Sequence, residues 1–402
     1  MAPHKIFLKP KKEESLLRFH PWVFSGAVAS DVQGIVEGEV VEVCAANGQF
    51  LGVGHYQIGS ILVRILSFKP VEIDLSFWKE SIRRAYNMRL ALGLDTVAAA
   101  TGNGHLNNTY RLVHGEGDNL PGLIIDIYAQ TAVIQAHSVG MHLARKTIAQ
   151  ALSEVCANIS RIFYKSEGTL PYKAELGEEN EYLYGSDDQL PHTSVENGLT
   201  FKVDWLKGQK TGFFIDQRDN RSLLMRYARG RDVLNMFCYT GGFSVYALRG
   251  GARIVHSVDS SAKAMALTDE NVALNFPDDQ RHKSFTDDAF KFMENIKDRY
   301  DLIILDPPAF AKHKNVLRNA LQGYRKLNAL AFKQIRSGGI IFTFSCSQIV
   351  SRENFRLTVF TAAAMSGRRV RILNQMSQPA DHPVNIYHPE GEYLKGLVLE
   401  VE

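Results

Sequence analysis

The C-terminal half of the chain alternates short apolar runs with longer segments in which apolar residues recur every three to four positions. The short runs predict β-strands, and the longer segments predict helices, as at 261–275 and 316–335. Four strands are predicted in this way, at residues 233–236, 254–258, 302–305 and 340–344. Because strands and helices alternate, we predict an α/β fold over residues 195–402, with a Rossmann-like, mostly parallel sheet. Late strands are predicted at 370–373 and 394–401.

The first 70 residues lack this alternation with helices. Residues 36–43 alternate apolar and acidic residues, and glycines separate further short strand-like runs such as 50–53 and 61–66. Such segments are typical of short, half-buried strands joined by turns. We therefore predict a small β domain over residues 1–70.

Residues 73–190 mix helical and strand patterns. Helices are predicted at 75–92 and 141–157, and strands at 123–128, 131–136 and 161–165. We predict a central α+β domain over 73–190. It ends in an acidic, polar stretch at 175–189, which is typical of an exposed loop.

Composition narrows the class of protein. A chain of 402 residues has room for two or three domains, and 45% hydrophobic with 22% charged residues excludes disorder over most of it. The net charge is only +3, so nucleic-acid binding would depend on local clusters of basic residues. No apolar run reaches the roughly 18 residues of a membrane-spanning helix, so we expect no membrane partner.

Cysteine and histidine spacing gives further exclusions. The four cysteines, Cys44, Cys156, Cys238 and Cys346, form no C-x-x-C pair, and no H-E-x-x-H motif occurs. We therefore expect neither a disulfide framework nor a metal site. Low cysteine usage without pairing is typical of a reducing compartment, which predicts a cytoplasmic protein.

A glycine-containing turn follows the first predicted strand of the C-terminal domain. Gly241 and Gly242 stand where that strand passes into a helix, which lets a ligand approach the backbone at the helix N-terminus. The motif is not G-x-G-x-x-G, so a dinucleotide site is disfavoured. A plain tight turn is the alternative.

Acidic residues follow the next three strands. Asp259 comes 18 residues after Gly241, where an acid can accept hydrogen bonds from ribose hydroxyls. Asp288 follows a third short strand and could reach an adenine amino group. Capping a helix N-terminus is the alternative role for both acids. Asp306 precedes Pro307 and Pro308, which hold it in a rigid turn at the ligand-binding edge of the sheet.

A cysteine follows the strand predicted at 340–344, at the same edge of the sheet. Cys346 lies between Ser345 and Ser347, directly after an apolar run, and is the candidate nucleophile. Cys238 is the rival thiol, but its place in the glycine turn suits the lining of a cofactor pocket. A lone cysteine is more often an inert core residue. We interpret Cys346 as a nucleophile because its predicted position is beside Asp306 at the ligand-binding edge of the sheet.

Together these motifs resemble a bacterial family of S-adenosylmethionine-dependent methyltransferases that form 5-methylcytosine in large-subunit ribosomal RNA. The family has an N-terminal PUA domain, a central EEHEE-type domain and a C-terminal class I methyltransferase domain. The resemblance spans nearly the whole chain. It rests on residues 20–26 (HPWVFSG), 110–112 (YRL), 120–122 (LPG), 209–218 (QKTGFFIDQR), 235–243 (NMFCYTGGF), 306–310 (DPPAF) and 343–347 (TFSCS).

The resemblance implies S-adenosylmethionine as cofactor and a role for each motif residue. The implied cofactor-binding residues are Phe237, Tyr239, Thr240, Gly241, Gly242, Asp259, Asp288 and Asp306. Cys346 would add to carbon 6 of the target base, which makes carbon 5 nucleophilic enough to take a methyl group. Asp306 would face both the base and the methyl donor, so both residues would be catalytic.

One departure from the family's pattern leaves open which group accepts the carbon-5 proton and how the product is released. Many RNA cytosine-5 methyltransferases carry a second cysteine where this chain has Pro308. Uracil-5 methyltransferases share the single-cysteine design and stay an alternative. A related guanine-methylating family has Ser-Asn-Asn in place of Ser-Cys-Ser, so Cys346 argues against that activity.

Basic residues support ribosomal RNA as the partner. The candidate RNA-binding residues are Lys210, Arg218, Lys312, Lys314, Arg318 and Arg325. A homodimer is left open. Two other classes of protein compete: a non-catalytic RNA-binding assembly factor, which Cys346 and Asp306 disfavour, and a Rossmann oxidoreductase, which the missing G-x-G-x-x-G disfavours.

Overall fold

The computed structural model describes residues 3–95, 106–170, 180–186, 192–310 and 316–402. By its internal contacts the chain divides into two compact units. Unit 1 comprises Met1–Gly198, Val203–Ile215 and Ala380–Gly391, and unit 2 comprises Leu199–Lys202, Asp216–Pro379 and Glu392–Glu402. None of the described helices has the length and apolar character that crossing a membrane requires.

Unit 1 begins with a five-stranded sheet in the order β1-β3-β4-β5-β2. Its elements are β1 (His4–Phe7), α1 (Glu14–Leu17), β2 (Trp22–Phe24), β3 (Val40–Cys44), β4 (Phe50–Tyr56) and β5 (Ile61–Ser67). Buried residues such as Ile6, Val41 and Val63 form its core. The strand predicted at 36–43 begins only at Val40, because Gly38 has a φ of +90°, which is incompatible with an extended strand.

A second five-stranded sheet follows in unit 1, in the order β10-β9-β8-β7-β6. Its elements are α2 (Leu75–Ala91), β6 (Thr109–His114), β7 (Leu123–Tyr128), β8 (Thr131–Ala136), α3 (Val139–Leu143), α4 (Arg145–Val155), β9 (Arg161–Tyr164) and β10 (Glu181–Tyr184). Helix α2 begins after Asp74, which accepts a hydrogen bond from the Phe77 amide at 2.9 Å. Trp78 and Ile82 on α2 pack into the apolar core of this sheet.

Two predictions in this region were wrong. The helix predicted at 141–157 is two helices, α3 and α4, which meet at Ala144. The stretch predicted as an exposed loop contains β10, where Tyr182 packs against Phe163 with ring centroids 4.9 Å apart. The acidic residues at 175–179 and 187–189 lie outside the described residues.

The segment Ala380–Gly391 belongs to unit 1 although it is distant in sequence from the rest of that unit. The backbone carbonyl of Asp381 accepts a hydrogen bond from Arg89 Nη2 at 2.8 Å, and its carboxylate accepts one from the Arg111 amide at 2.9 Å. Arg89 is fully buried and is also paired with Asp118. A buried guanidinium needs such partners, so this network holds the segment in place.

Unit 2 contains a seven-stranded sheet in the order β15-β14-β13-β16-β17-β19-β18. Two strands, β11 (His192–Glu196) and β12 (Leu199–Val203), precede it where the chain first leaves unit 1. The other elements are α5 (Arg218–Tyr227), β13 (Asp232–Met236), α6 (Gly242–Arg249), β14 (Ile254–Asp259), α7 (Ala262–Asn275), β15 (His282–Thr286), α8 (Ala289–Met293), β16 (Leu302–Leu305), α9 (Leu317–Gln334), β17 (Gly339–Ser345), α10 (Arg352–Ser366), β18 (Val370–Ser377) and β19 (Lys395–Val401).

Strands β13 to β17 run parallel, and β19 enters antiparallel between β17 and β18. The α/β prediction for this region is confirmed. Fully buried strand residues such as Leu234, Ile303 and Ile341 form the core with helix residues such as Phe332. The strand order reverses at β13, where ligands bind in sheets of this kind.

Candidate active site

The carboxyl ends of the parallel strands place the predicted site residues along one edge of the unit 2 sheet. Met236 pairs with Val258 on one side and with Leu305 on the other, and Leu305 pairs with Thr343. The residues that follow these strands therefore share that edge. They are Phe237 after β13, Asp259 at the end of β14, Asp306 after β16 and Cys346 just past β17.

The turn after β13 has an unusual backbone. Phe237 and Tyr239 have φ values of +57° and +49°, and Gly241 has +78°. Non-glycine residues in this region cost about 1–3 kcal/mol each and cluster at functional sites.

Side chains from the next strand and helix hold this turn. Asp259 accepts a hydrogen bond from the Tyr239 amide at 3.1 Å. Thr268 Oγ1 donates to the Tyr239 carbonyl at 3.0 Å, and Asn271 Nδ2 donates to the Thr240 carbonyl at 2.9 Å. Sequence reasoning missed Thr268 and Asn271, although two polar residues on the buried face of a helix were an available signal.

Gly241 is required at its position for two reasons. Its φ is positive, and a Cβ there would lie 2.6 Å from Thr268 Cγ2, closer than van der Waals contact permits. Gly242 begins α6, whose first amide groups have no partner within the helix. The turn can therefore approach both α7 and a ligand closely.

Asp259 uses both carboxylate oxygens within the protein. Oδ2 accepts from the Tyr239 amide, and Oδ1 accepts from the Ser261 amide at 3.0 Å. Each carboxylate oxygen can accept a second hydrogen bond. Asp259 can thus fix the turn and still accept hydrogen bonds from ribose hydroxyls. Ser261, and not Asp259, caps helix α7.

Asp288 caps helix α8, as the alternative interpretation allowed. Its Oδ1 accepts a hydrogen bond from the Lys291 amide at 3.0 Å, and the residue is exposed. Contact of Asp288 with an adenine amino group stays a prediction. Because Oδ1 caps the helix, Oδ2 is the oxygen that would accept a hydrogen bond from the adenine amino group.

Asp306 and Cys346 act electrostatically on a shared neighbour. Tyr324 on α9 is completely buried, and burial raises the pKa of its phenol to about 12. Negative charge on Cys346 and on Asp306 adds to that increase in pKa. Tyr324 is therefore an electrostatic neighbour of both the thiol and the carboxylate. Sequence reasoning had not singled out Tyr324.

The four thiols differ in accessibility. Cys346 is half-buried, whereas Cys44, Cys156 and Cys238 are buried. Burial raises the pKa of all three buried thiols, that of Cys156 to about 12. Because the thiolate is the nucleophile, the three buried cysteines suit packing. Cys346 is thus the accessible thiol at the site.

The predicted RNA-binding residues differ in position. Arg318 and Arg325 are on one face of α9 and line a groove of about 670 Å³ with Leu357 and Thr361 of α10. Lys210 is exposed in unit 1, with its ammonium 5.0 Å from the Phe214 ring centroid.

Two of the remaining predicted residues lie outside the described part of the chain, and the third is buried. Lys312 and Lys314 belong to the segment that the structure does not describe. Arg218 is 3% exposed and pairs with Asp219 at 3.5 Å. Contact of Arg218 with RNA stays a prediction.

Metal-ligating groups do meet in unit 1, although the sequence predicted no metal site. His20, His388 and Glu390 have candidate ligand atoms within 4.8 Å of one another. The Trp22 amide donates to His20 Nδ1 at 3.2 Å. That bond leaves the ring proton of a neutral His20 on Nε2, the atom that faces Glu390. The arrangement favours a polar contact between His20 and Glu390 over metal coordination.

The geometry fits S-adenosylmethionine. Amide groups at the start of α6 suit its carboxylate, and Asp259 offers acceptors for its ribose. The seven-stranded sheet with its antiparallel β19 and the strained turn after β13 together define a class I methyltransferase.

Sequence comparisons agree with the fold. Residues 171–384 match the model of S-adenosylmethionine-dependent methyltransferases, and residues 6–68 match that of PUA-like domains. The chain is 39% identical to ribosomal RNA large subunit methyltransferase I of Aeromonas hydrophila and 40% identical to that of Tolumonas auensis, with 98% of each chain covered. The chain therefore belongs to the family of ribosomal RNA large subunit methyltransferase I, and its cofactor is S-adenosylmethionine.

Solved structures share the whole architecture. An S-adenosylmethionine-dependent methyltransferase from Streptococcus mutans superposes with a TM-score of 0.82 at 23% identity, covering 99% of this chain and all of the other. A methyltransferase in complex with SAH gives a TM-score of 0.83 at 24% identity, with both chains fully covered. At these identities the likeness supports the fold.

Proposed function

We propose that this enzyme forms 5-methylcytosine in large-subunit ribosomal RNA, with Cys346 as the nucleophile. The curated relatives are named for methylation of large-subunit ribosomal RNA. The observation that carries the choice of carbon 5 is the half-buried thiol of Cys346, which lies at the same sheet edge as Asp306 and the cofactor turn. Methyl transfer to a ring nitrogen needs no such thiol.

The reaction has four steps: addition of the thiolate, methyl transfer, loss of the carbon-5 proton and elimination of the thiolate. Cys346 Sγ forms a bond to carbon 6 of the base, and the electron pair of the 5,6 double bond moves toward carbon 5. When bound, S-adenosylmethionine supplies the methyl group that carbon 5 then takes, and the S–CH3 bond breaks to leave S-adenosylhomocysteine. The carbon-5 proton leaves to a base, and the Sγ–C6 bond breaks as the double bond forms again. Asp306 would hold the target by hydrogen bonds to its Watson–Crick edge. The target must leave its stack, at a cost of a few kcal/mol.

Trapping with fluorinated RNA tests this proposal. RNA that contains 5-fluorocytosine should form a stable adduct with the wild-type protein, because fluorine cannot leave carbon 5 as a proton does. We expect peptide mapping to place the adduct on Cys346. Cys346→Ala should lose methyl transfer by about 10⁴–10⁶-fold, with cofactor binding retained.

Two controls define the outcomes. Cys238→Ala should still form the adduct, because the Cys238 thiol is buried. RNA that contains 5-fluorouracil is the matched substrate, and trapping with it alone would favour the uracil-5 alternative. An adduct on Cys238, or full activity of Cys346→Ala, would show that Cys346 is not the nucleophile.

The remaining parts of the proposal concern partners and organisation. A PUA-like domain at residues 6–68 and exposed basic residues in both units support an RNA partner. An RNA substrate of this class also supports a cytoplasmic location. The domain boundaries 1–70, 73–190 and 195–402 and the homodimer stay predictions. Leu357, Phe360 and Met365 on α10 are exposed apolar residues that a dimer interface could use.

A further inference from the structure

A buried lysine lies beside the candidate nucleophile. Lys395 is the first residue of β19 and pairs in register with Ser345, the last residue of β17 and the neighbour of Cys346. Only 5% of Lys395 is exposed, in a strand whose other residues are mostly apolar. Lysine is almost never fully buried unless its charge is compensated. Lys395 therefore requires an explanation that packing alone does not give.

The ammonium group holds the turn that follows Cys346. Lys395 Nζ donates to the Ser347 carbonyl at 2.6 Å and to the Val350 carbonyl at 2.5 Å. The Val350 amide in turn donates to the Ser347 carbonyl at 3.2 Å. The ammonium thus connects both ends of the turn, directly after the nucleophile.

Charged groups from several elements face this pair. Burial lowers the pKa of Lys395 to about 8, and negative charge on Cys346 and Glu392 opposes that decrease, whereas Arg352 adds to it. Cys346 also interacts electrostatically with Tyr324 of α9, as Asp306 does. The Coulomb interaction between Lys395 and Cys346 is mutual, so a positive charge on Lys395 favours negative charge on Cys346.

We propose that Lys395 is a positioning residue for Cys346: its ammonium fixes the turn after the thiol and favours the thiolate by its charge. This inference rests on the proposed function, in which Cys346 is the nucleophile. The charge on Lys395 is present below a pH of about 8 and is lost as the pH rises through that value. Its effect on the thiol is therefore present at neutral pH and declines as the pH rises above about 8.

Alkylation kinetics of Cys346 test the charge without RNA or turnover. The rate of iodoacetamide modification is measured against pH by mass spectrometry of the Cys346 peptide, in wild-type protein, Lys395→Met and Lys395→Gln. We expect both variants to react about tenfold more slowly at neutral pH, with the midpoint of the profile moved upward by about one unit. The slower reaction follows because reactivity depends on the thiolate fraction.

The two variants separate charge from hydrogen bonding. Lys395→Gln can still donate to one carbonyl, so it keeps part of the turn and covers the case in which Lys395→Met does not fold. Lys395→Arg retains the charge and should restore much of the wild-type profile. Lys333→Met removes an exposed lysine of the same unit and should change nothing. Cofactor binding, measured by calorimetry, confirms that each variant is folded.

The outcomes distinguish this inference from the proposed function. Unchanged alkylation profiles in folded Lys395→Met and Lys395→Gln would overturn the role of Lys395, even if 5-fluorocytosine RNA still traps Cys346. Failure of trapping at Cys346 would overturn the proposed function, whatever the alkylation profiles show. In turnover, the variants should lower kcat and leave the KM for S-adenosylmethionine unchanged.

Discussion

At the residue scale, Asp259 combines a structural and a ligand-binding role. It accepts the amides of Tyr239 and Ser261, and it keeps lone pairs for ribose hydroxyls. We predict that Asp259→Ala weakens S-adenosylmethionine binding by about 1.5–3 kcal/mol, as expected for a lost hydrogen bond to a charged group. Calorimetry measures the change. Asp269→Ala, which removes an exposed acid from α7, is the control, and equal affinity in both variants would contradict the assignment.

Residues that follow strands were predictable from sequence, and residues that act across strands were not. Cys346 and Asp306 could be found because each directly follows an apolar run, so their position at the sheet edge depends on local pattern alone. Lys395 acts on the turn 347–350 through a pairing between two strands about fifty residues apart. No local pattern shows that pairing, although a lysine that opens an otherwise apolar strand was a visible anomaly.

At the element scale, helix α7 supports the cofactor turn. Asn271 donates to the Thr240 carbonyl and accepts from the Lys202 amide at 2.7 Å. We predict that Asn271→Ala lowers the free energy of unfolding by about 1–3 kcal/mol, because the buried Thr240 carbonyl and the partly buried Lys202 amide lose their partner. It should also weaken S-adenosylmethionine binding, because the strained turn loses one of its supports. Chemical denaturation and calorimetry measure the two effects.

The next polar residue along α7 is a matched control. Asn275 bonds the amide and the carbonyl of Thr200 in the same manner, at 2.8 and 2.7 Å, but does not contact the turn. Asn275→Ala should therefore cost similar stability and leave cofactor affinity unchanged. Equal loss of cofactor affinity in both variants would mean that Asn271 acts only through global stability.

Strands were predicted correctly from the sequence where a short apolar run was clearly bounded. The strands β13, β14, β16 and β17 coincide with the predicted apolar runs within one or two residues at each end. The prediction failed at β10, because an acidic composition concealed a strand whose tyrosines pack on β9. It also failed at Ala144, where two consecutive helices share one continuous apolar pattern.

At the scale of the whole molecule, sequence order and spatial organisation differ in one segment. Ala380–Gly391 lies between two strands of the unit 2 sheet in sequence, yet it belongs to unit 1. Contacts such as that of Asp381 with Arg89 join residues separated by 292 positions, which no window along the sequence can detect. The family resemblance predicted the order of domains, but it could not predict this return of the chain.

The salt dependence of RNA binding tests whether the arginines on α9 contact phosphates. If Arg318 and Arg325 contact phosphates, the double variant Arg318→Ala/Arg325→Ala should weaken RNA binding and leave cofactor binding unchanged. Each lost contact with a single strand should reduce the steepness of the log–log salt dependence by about 0.7, so we expect a reduction of about 1.4. The matched control, Arg229→Ala/Arg249→Ala, removes two exposed arginines that do not line the groove between α9 and α10. Fluorescence anisotropy across a salt series measures both slopes, and equal slopes in the two double variants would exclude that groove as a phosphate-binding surface.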